Sequence, residues 1–327
     1  MVRLQLSYDM RAPDFGPPAD ALYRCALDQC AWADARGFAS VTLPEHHSDV
    51  DGYLPSPVVM AAGIGARTEH VRISISLILL PLYHPIRLAE DLAIADLISG
   101  GRIDVMVGAG YREEEFDLYD VDIHGRGKAM EEGIVTLQRA WTGEPFEFRG
   151  RTVRVLPRPA QRPRPKVIVG GASPAAARRA ARIGDGFAPI HPRLYEIYVE
   201  EMHELGKPIP EGGGPVRAAG PSNIVAVSED PERTWHEIMP YLVHDAEVYA
   251  SWTGGRRGSM FQQVTTPEEL RASGQYAVLT PDDAVAAANA SETFGFRPLC
   301  GGIDPDLSWA SLELFDAKVL PHLQPTR

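Results

Sequence analysis

Glu45, His46 and His47 stand together directly after the apolar run Ser40 to Leu43. A carboxylate and imidazoles at a strand end can exchange protons near neutral pH. Successive residues of an extended chain point to opposite faces, so at most one of the two rings can look toward a common centre. His46 is then a candidate general base or cofactor contact; the plainer alternative makes one ring a polar rim residue and the other a backbone hydrogen-bond partner. A metal centre would prefer a His-x-His pair with carboxylates from other strand ends. A metal-dependent hydrolase would have to draw on His46, His84, His191 and Asp104.

Two further segments carry chemistry. In Val167-Ile-Val-Gly170-Gly171-Ala172-Ser173-Pro174, Ser173 has the character of an N-cap and Pro174 that of a first helical residue. A helix starting there offers bare amides that can hold a phosphate without a cationic side chain; an ordinary strand-to-helix turn is the alternative. Gly108-Ala109-Gly110 ends another apolar run, and small residues there let a planar ligand approach the backbone. It lacks the third glycine and the early position of a dinucleotide fingerprint, so a nicotinamide site is poorly supported.

The elements that must position these residues read as alternating strands and helices. Apolar runs occur at Val2 to Tyr8, Ser40 to Leu43, Val71 to Leu80, Arg102 to Gly108, Lys166 to Gly170, Gly186 to Ile190, Asn223 to Val227 and Arg297 to Ile303. Amphipathic stretches separate them; in one, Met130, Ile134, Leu137 and Trp141 share a helical face. This alternation predicts an α/β fold, a single (β/α)8 TIM barrel over residues 1–327, with its site at the C-terminal strand ends. Residues 144–157 read as a β-hairpin turning at Gly150, inserted between strands four and five. Residues 250–267, after the seventh helix, read as a mobile loop or lid carrying Arg256 and Arg257. Tyr8, Met10, Tyr53, Tyr83, His191 and this lid would line a pocket for a mid-sized hydrophobic molecule.

Composition narrows the partners. Lys plus Arg number 32 against 44 Asp plus Glu, a net charge of −12, which argues against nucleic acid and against an anionic membrane surface. The apolar stretch from Ile73 to Leu82 is interrupted by two serines and is about half of what a membrane helix needs. Three cysteines without metal-ligand spacing, and an N-terminus that reads as a strand rather than a leader, suit a reducing cytoplasm.

Taken together, Glu45-His46-His47, Leu80-Pro81 with His84-Pro85 and Arg87, Gly101-Arg102-Ile103 leading to Gly108-Ala109-Gly110-Tyr111, Gly170-Gly171-Ala172-Ser173, and Leu312-Glu313-Leu314-Phe315 with Val319-Leu320-Pro321 resemble the bacterial luciferase-like flavin-dependent monooxygenases. The likeness spans nearly the whole chain. It implies a flavin at the strand C-termini, its phosphate at Gly171, Ala172 and Ser173, its ring system near Gly108 and Ala109, and a non-prolyl cis peptide joining Ser76 to Leu77. It also implies that His46 is catalytic at the reactive edge of the flavin, with His47 beside it in a lesser role. Luciferase's phosphate-binding arginine is replaced by Ala109 and its second phosphate hydroxyl by Ala176, so light emission is not implied. The implied activity is oxygenation by reduced FMN, supplied by a separate reductase, and O2. The alternative on the same barrel is hydride transfer with the deazaflavin F420, whose oligoglutamate tail the net charge disfavours unless Arg112, Arg256 and Arg257 gather around it. A non-catalytic flavin-binding relative is a further alternative. The resemblance also implies a homodimer through helices 56–67 and 85–98.

Overall fold

The computed structural model describes residues 2–210, 223–253 and 266–324. Among these, eleven strands follow one another: β1 (Arg3–Ser7), β2 (Ser40–Leu43), β3 (Arg72–Leu79), β4 (Ile103–Gly108), β5 (Phe146–Phe148), β6 (Arg151–Val153), β7 (Val167–Gly171), β8 (Gly186–Pro189), β9 (Ile224–Val227), β10 (Ala277–Leu279) and β11 (Thr293–Phe296). Helices lie between them, so the α/β alternation expected from the sequence is present. The chain divides into two compact units that interleave in sequence.

The first unit comprises residues 1–42, 49–55 and 217–327. Its strands run parallel in the order β10-β9-β11-β1-β2. Leu4 and Leu6 of β1 alternate with more exposed neighbours and are wholly buried, as expected of a sheet with one helix-covered face. On that face Phe294 and Phe296 of β11 meet Phe315 of the helix Pro305–Lys318.

The second unit comprises residues 43–48 and 56–216, with the parallel order β3-β4-β7-β8. Met130, Ile134, Leu137 and Trp141 are buried together, as their spacing predicts. Trp141 satisfies its one polar atom by donating from Nε1 to the carbonyl of Ala89 at 3.0 Å. Strands β5 and β6 form the antiparallel hairpin between β4 and β7. Its two turn residues, Arg149 and Gly150, have φ of 48° and 76°, the left-handed pair that matches the twist of a tight hairpin.

Some elements differ from the sequence reading. Arg297 to Ile303 is not the last strand: Thr293–Phe296 takes that place, and Cys300–Gly302 forms a 3-10 turn. Pro298 has no N–H to give a ladder, and Gly301 and Gly302 sit at φ of 63° and 89°. The three-residue β10 and the short helices Glu113–Leu118 and Pro267–Ala272 were too brief to show a periodicity. Of the expected lid, residues 250–253 end the helix Pro231–Thr253, and Thr266 caps the helix that follows; the rest, with Arg256 and Arg257, lies outside the described residues.

A buried ion cluster organises the first unit. Arg11 is fully buried and bonds to Asp51 and, at 3.2 Å, to Asp245, while Tyr53, Tyr249 and Trp252 surround its guanidinium at 4.7, 5.0 and 4.9 Å. Arg297 bridges Asp9 at 2.7 Å and Asp245 at 3.2 Å. Gly301 donates its N–H to Asp9 at 3.2 Å, and a Cβ on it would lie 2.3 Å from the backbone carbonyl oxygen of Tyr241.

Two outcomes follow. Gly301→Ala must move backbone as well as enter an unfavourable φ, so urea denaturation should record a loss of about 2–3 kcal/mol. Arg11→Met strips two buried carboxylates of a partner and should cost about 3–5 kcal/mol at pH 7. Burial raises the Asp51 carboxyl, yet the bond from His244 and the charge of Arg11 outweigh it and hold it below the ordinary value. A lowered carboxyl contributes stability above its unfolded value and loses it as pH falls through the folded one. The acid-unfolding midpoint of Arg11→Met, followed by circular dichroism, should therefore move to higher pH.

Candidate active site

Beyond β2 the chain carries three polar side chains that burial forces into defined partnerships. Glu45 is 2% exposed, and a carboxylate taken out of water needs hydrogen-bond donors in place of it. Its Oε1 accepts from His47 Nε2 at 2.8 Å and from the Tyr83 hydroxyl at 2.6 Å, and its Oε2 accepts from the Leu79 N–H at 2.8 Å. Burial, then the adjacent Glu45 charge, pushes the Tyr83 phenol far above its ordinary value, so it remains a donor. His47 Nδ1 stands 3.1 Å from the Tyr119 hydroxyl, so both ring nitrogens of this packed side chain have partners.

Glu115 is the second buried carboxylate, at 0% exposure. It comes from the helix Glu113–Leu118, whose first turn holds three glutamates beside the helix's positive end. Glu113 and Glu114 are exposed, and only Glu115 turns inward. Its Oε1 accepts from the His47 backbone N–H at 3.0 Å and from His46 Nδ1 at 2.7 Å. Arg112 lies 3.5 Å from the same oxygen and donates to the His47 carbonyl at 3.2 Å. His46 thus sets Nδ1 against a buried carboxylate, on a ring that keeps 13% of its side-chain exposure. Tyr111 meets that ring edge-on at 5.9 Å. The two adjacent histidines have opposite assignments, one packed and one presented, as alternation along an extended chain requires.

The strand ends beside them are built from small residues. The Ser76–Leu77 peptide is cis, as the resemblance implied, and Ser76 Oγ donates to Met106 Sδ at 3.3 Å. Leu77 fills the space over two glycines: a Cβ on Gly108 would lie 2.3 Å from its Cδ1, and one on Gly170 2.6 Å from its Cδ2. Gly108 is buried beneath Leu77, whereas Ala109 is half-buried. At the end of β7, Ala172 and Ser173 are exposed and Gly171 is half-buried. A Cβ on Gly171 would come within 2.3 Å of the Ala176 Cβ, so only glycine lets the strand pass this close to the helix Pro174–Ile183. Ser173 caps that helix, accepting from the Ala176 N–H at 3.3 Å. A bare backbone at a capped helix start, with a hydroxyl and no large side chain in the way, fits a flavin phosphate.

Other sequence candidates fall elsewhere. His191 caps the helix Pro192–Glu204, accepting from the Arg193 N–H at 3.2 Å. Tyr53, in the first unit, is 3% exposed, with its hydroxyl 2.8 Å from that of Tyr249. Tyr8 and Met10 are 1% exposed and belong to the core rather than to a pocket wall. The metal-hydrolase residues are not assembled: His84 packs on Phe148, Asp104 pairs with Arg72, and His46 is held by Glu115. Among the described residues, the grouping of three potential ligands is Asp9, Asp245 and Cys300, which Arg11 and Arg297 already neutralise. Sequence reasoning missed Glu115, Tyr83 and Tyr119 as partners. Three consecutive glutamates at a helix start read as a solvated face, and only the inward turn of the third distinguishes it.

The sequence profile of the luciferase-like monooxygenase family matches residues 11–298. The oxygenase component of flavin-dependent trigonelline monooxygenase from Acinetobacter baylyi is 28% identical over 179 residues, covering 52% of this chain and 49% of that protein. An F420-dependent glucose-6-phosphate dehydrogenase from Tsukamurella paurometabola is 28% identical over 324 residues, covering 91% of this chain and 92% of that one. Among the curated relatives first in similarity, the chain spans about half of their length. The crystal structure of the monooxygenase RslO1 from Streptomyces bottropensis superposes with a TM-score of 0.76 at 25% identity, over 98% of this chain and 99% of that one. Solved structures in this group are luciferase-like TIM barrels, and the chain belongs to the luciferase-like monooxygenase family.

Proposed function

We propose that this protein is the oxygenating component of a flavin-dependent monooxygenase, taking reduced FMN from a separate reductase and using O2 to oxygenate a mid-sized organic substrate. The observation that carries the reading is the arrangement of His46: a half-buried imidazole whose Nδ1 stands 2.7 Å from a fully buried carboxylate. Reduced flavin, when bound, supplies the electrons that activate oxygen. The chain's own residues bind it, orient it and move protons. Gly171, Ala172 and Ser173 would hold the phosphate through amides and one hydroxyl. His46 Nε2 would take up or return a proton during oxygen transfer, and Leu77 would provide an apolar surface between β3, β4 and β7. The family match crosses both compact units, which supports treating residues 1–327 as one domain.

A second reading is F420-dependent hydride transfer, favoured by the near full-length alignment with the dehydrogenase relative. Anaerobic titration with reduced FMN and with F420 separates the two. Saturable binding of reduced FMN, with no response to F420, is the expected result; the reverse would select hydride transfer. In the titration His46→Ala should leave flavin affinity within about twofold, and once oxygen is admitted turnover should fall ~10² to 10⁴-fold. Unchanged turnover would remove the catalytic role.

Ser173 gives a sharper test of the phosphate site because it also caps a helix. Ser173→Ala loses the cap and a phosphate contact, each worth about 1 kcal/mol. Ser173→Asp retains a good cap but sets a negative charge against the phosphate. Its melting temperature should stay near that of the parent while FMN affinity collapses and riboflavin affinity does not. Equal losses for both ligands would move the phosphate elsewhere.

The reading includes a homodimer and a cytoplasmic location. Ile94, Leu97 and Ile98 form a stripe of 44%, 42% and 46% exposure on the helix Pro85–Ile98, and Val59 on the helix Pro57–Arg67 is 73% exposed. Apolar side chains at i, i+3 and i+4 left open to water mark an interaction face. Most of the small apolar residues of Pro57–Arg67, in contrast, are buried within their own unit. Leu97→Glu should convert a dimer to a monomer in sedimentation at micromolar concentration. Three buried free thiols, Cys25, Cys30 and Cys300, support a reducing compartment, and among the described residues no helix is long and apolar enough to cross a membrane.

A further inference from the structure

We propose that Glu115 is a positioning residue that fixes the tautomer and orientation of His46. The geometry is specific. One oxygen of a wholly buried carboxylate receives both the His46 Nδ1–H at 2.7 Å and the His47 backbone N–H at 3.0 Å. The backbone amide donates to that oxygen, and an ionised carboxylate has no proton to give, so the oxygen acts as an acceptor toward both neighbours. His46 then has to carry its proton on Nδ1 and present Nε2 as the basic nitrogen, since in a neutral ring the hydrogen bond at one nitrogen decides the state of the other. The ring is also held in place: Glu115 is anchored to the chain segment that carries the histidine, and Arg112, four ångströms or less from Glu115, grips the carbonyl of the next residue. The other oxygen, Oε2, has no hydrogen-bond partner among the described residues, so the interactions of Glu115 are concentrated on the atom that orients His46.

This role turns on where the acceptor oxygen stands, not on the charge. Glu115→Gln can keep it, because the two converging donors orient the amide with its oxygen toward them and its NH2 where Oε2 now lies. Glu115→Ala removes it.

The test reads the ring directly and turnover separately. In protein labelled with 15N in histidine, the wild type should show a protonated Nδ1 and an unprotonated Nε2 for His46, assigned by its loss in His46→Ala. Glu115→Gln should keep that pattern. In Glu115→Ala the two nitrogens should move toward averaged values as the ring gains the other tautomer. In turnover with reduced FMN, Glu115→Ala should lose on the order of 10²-fold, with flavin affinity within about twofold, and Glu115→Gln should recover most of that loss.

A wild-type nitrogen pattern in Glu115→Ala would overturn the proposal, as would a Glu115→Gln protein whose ring is as disordered as that of Glu115→Ala. If the alanine variant fails to fold, the glutamine variant still decides, since a changed tautomer there is incompatible with an acceptor role. The turnover arm rests on the monooxygenase reading and the nitrogen spectrum does not. Loss of flavin binding in the wild type would sink the former while leaving the latter intact.

Discussion

A carboxylate removed from water has to be matched by donors, and in the second unit two such carboxylates, Glu45 and Glu115, meet the same histidine pair. Glu45 is met by an imidazole, a phenol and a backbone amide; Glu115 by an imidazole, a backbone amide and a nearby guanidinium. These demands fix more than charge. The bond from Leu79 N–H ties the end of β3 to Glu45, and the bond from His47 N–H ties the histidine pair to the helix Glu113–Leu118. The position of the catalytic candidate is thus a by-product of satisfying two buried acids. Leaving Glu45 short of donors would cost more than any one of its bonds contributes.

The first unit solves a similar problem with opposite reagents. There the buried groups are guanidiniums, with Asp9, Asp51 and Asp245 as acceptors and aromatic faces closing around Arg11. The cluster joins residues far apart in sequence: the segment after β1, the segment 49–55, the helix Pro231–Thr253 and the turn after β11. Backbone bonds run alongside, from Ala12 N–H to the Asp51 carbonyl at 2.7 Å and from Leu54 N–H to the Asp9 carbonyl at 2.8 Å. A buried charge network is a poor source of net stability compared with packed hydrocarbon. Its directional bonds instead admit few alternative arrangements of these irregular segments, which the short parallel strands alone would leave open.

How far the sequence reaches depends on whether a feature is periodic or tertiary. Strand β2 and the helix Pro174–Ile183 were legible to the residue, because an apolar run bounded by polar residues and a Ser-Pro start are local signals. The hairpin at Gly150 was legible for the same reason. The last strand was misplaced by several residues because Arg297 to Ile303 has the apolar content of a strand, while the partners of Arg297 and the backbone angles at Gly301 are invisible without the fold. At the site, Glu45-His46-His47 stood out by type and adjacency, and the two rings differ in exposure, 5% for His47 and 13% for His46. Glu115 did not: it lies 69 residues from His46, inside a glutamate run, and nothing local marks which glutamate turns inward.

The choice of flavin comes down to where the cations are. An acidic chain can hold one phosphate on backbone amides, because a helix start supplies donors and a partial positive charge without a formal one. An oligoglutamate tail adds several carboxylates, which need formal positive charge near the cofactor's outer end. Of the three arginines that could gather there, Arg256 and Arg257 fall outside the described residues, but Arg112 is 8% exposed and committed to Glu115 and the His47 carbonyl. Arg178 and Arg179, on the helix Pro174–Ile183, face Glu201 at 3.6 Å and Glu131 at 3.4 Å. A tail recognised by these three described guanidiniums would have to displace a carboxylate partner, whereas a cofactor ending in a single phosphate asks for nothing of the kind.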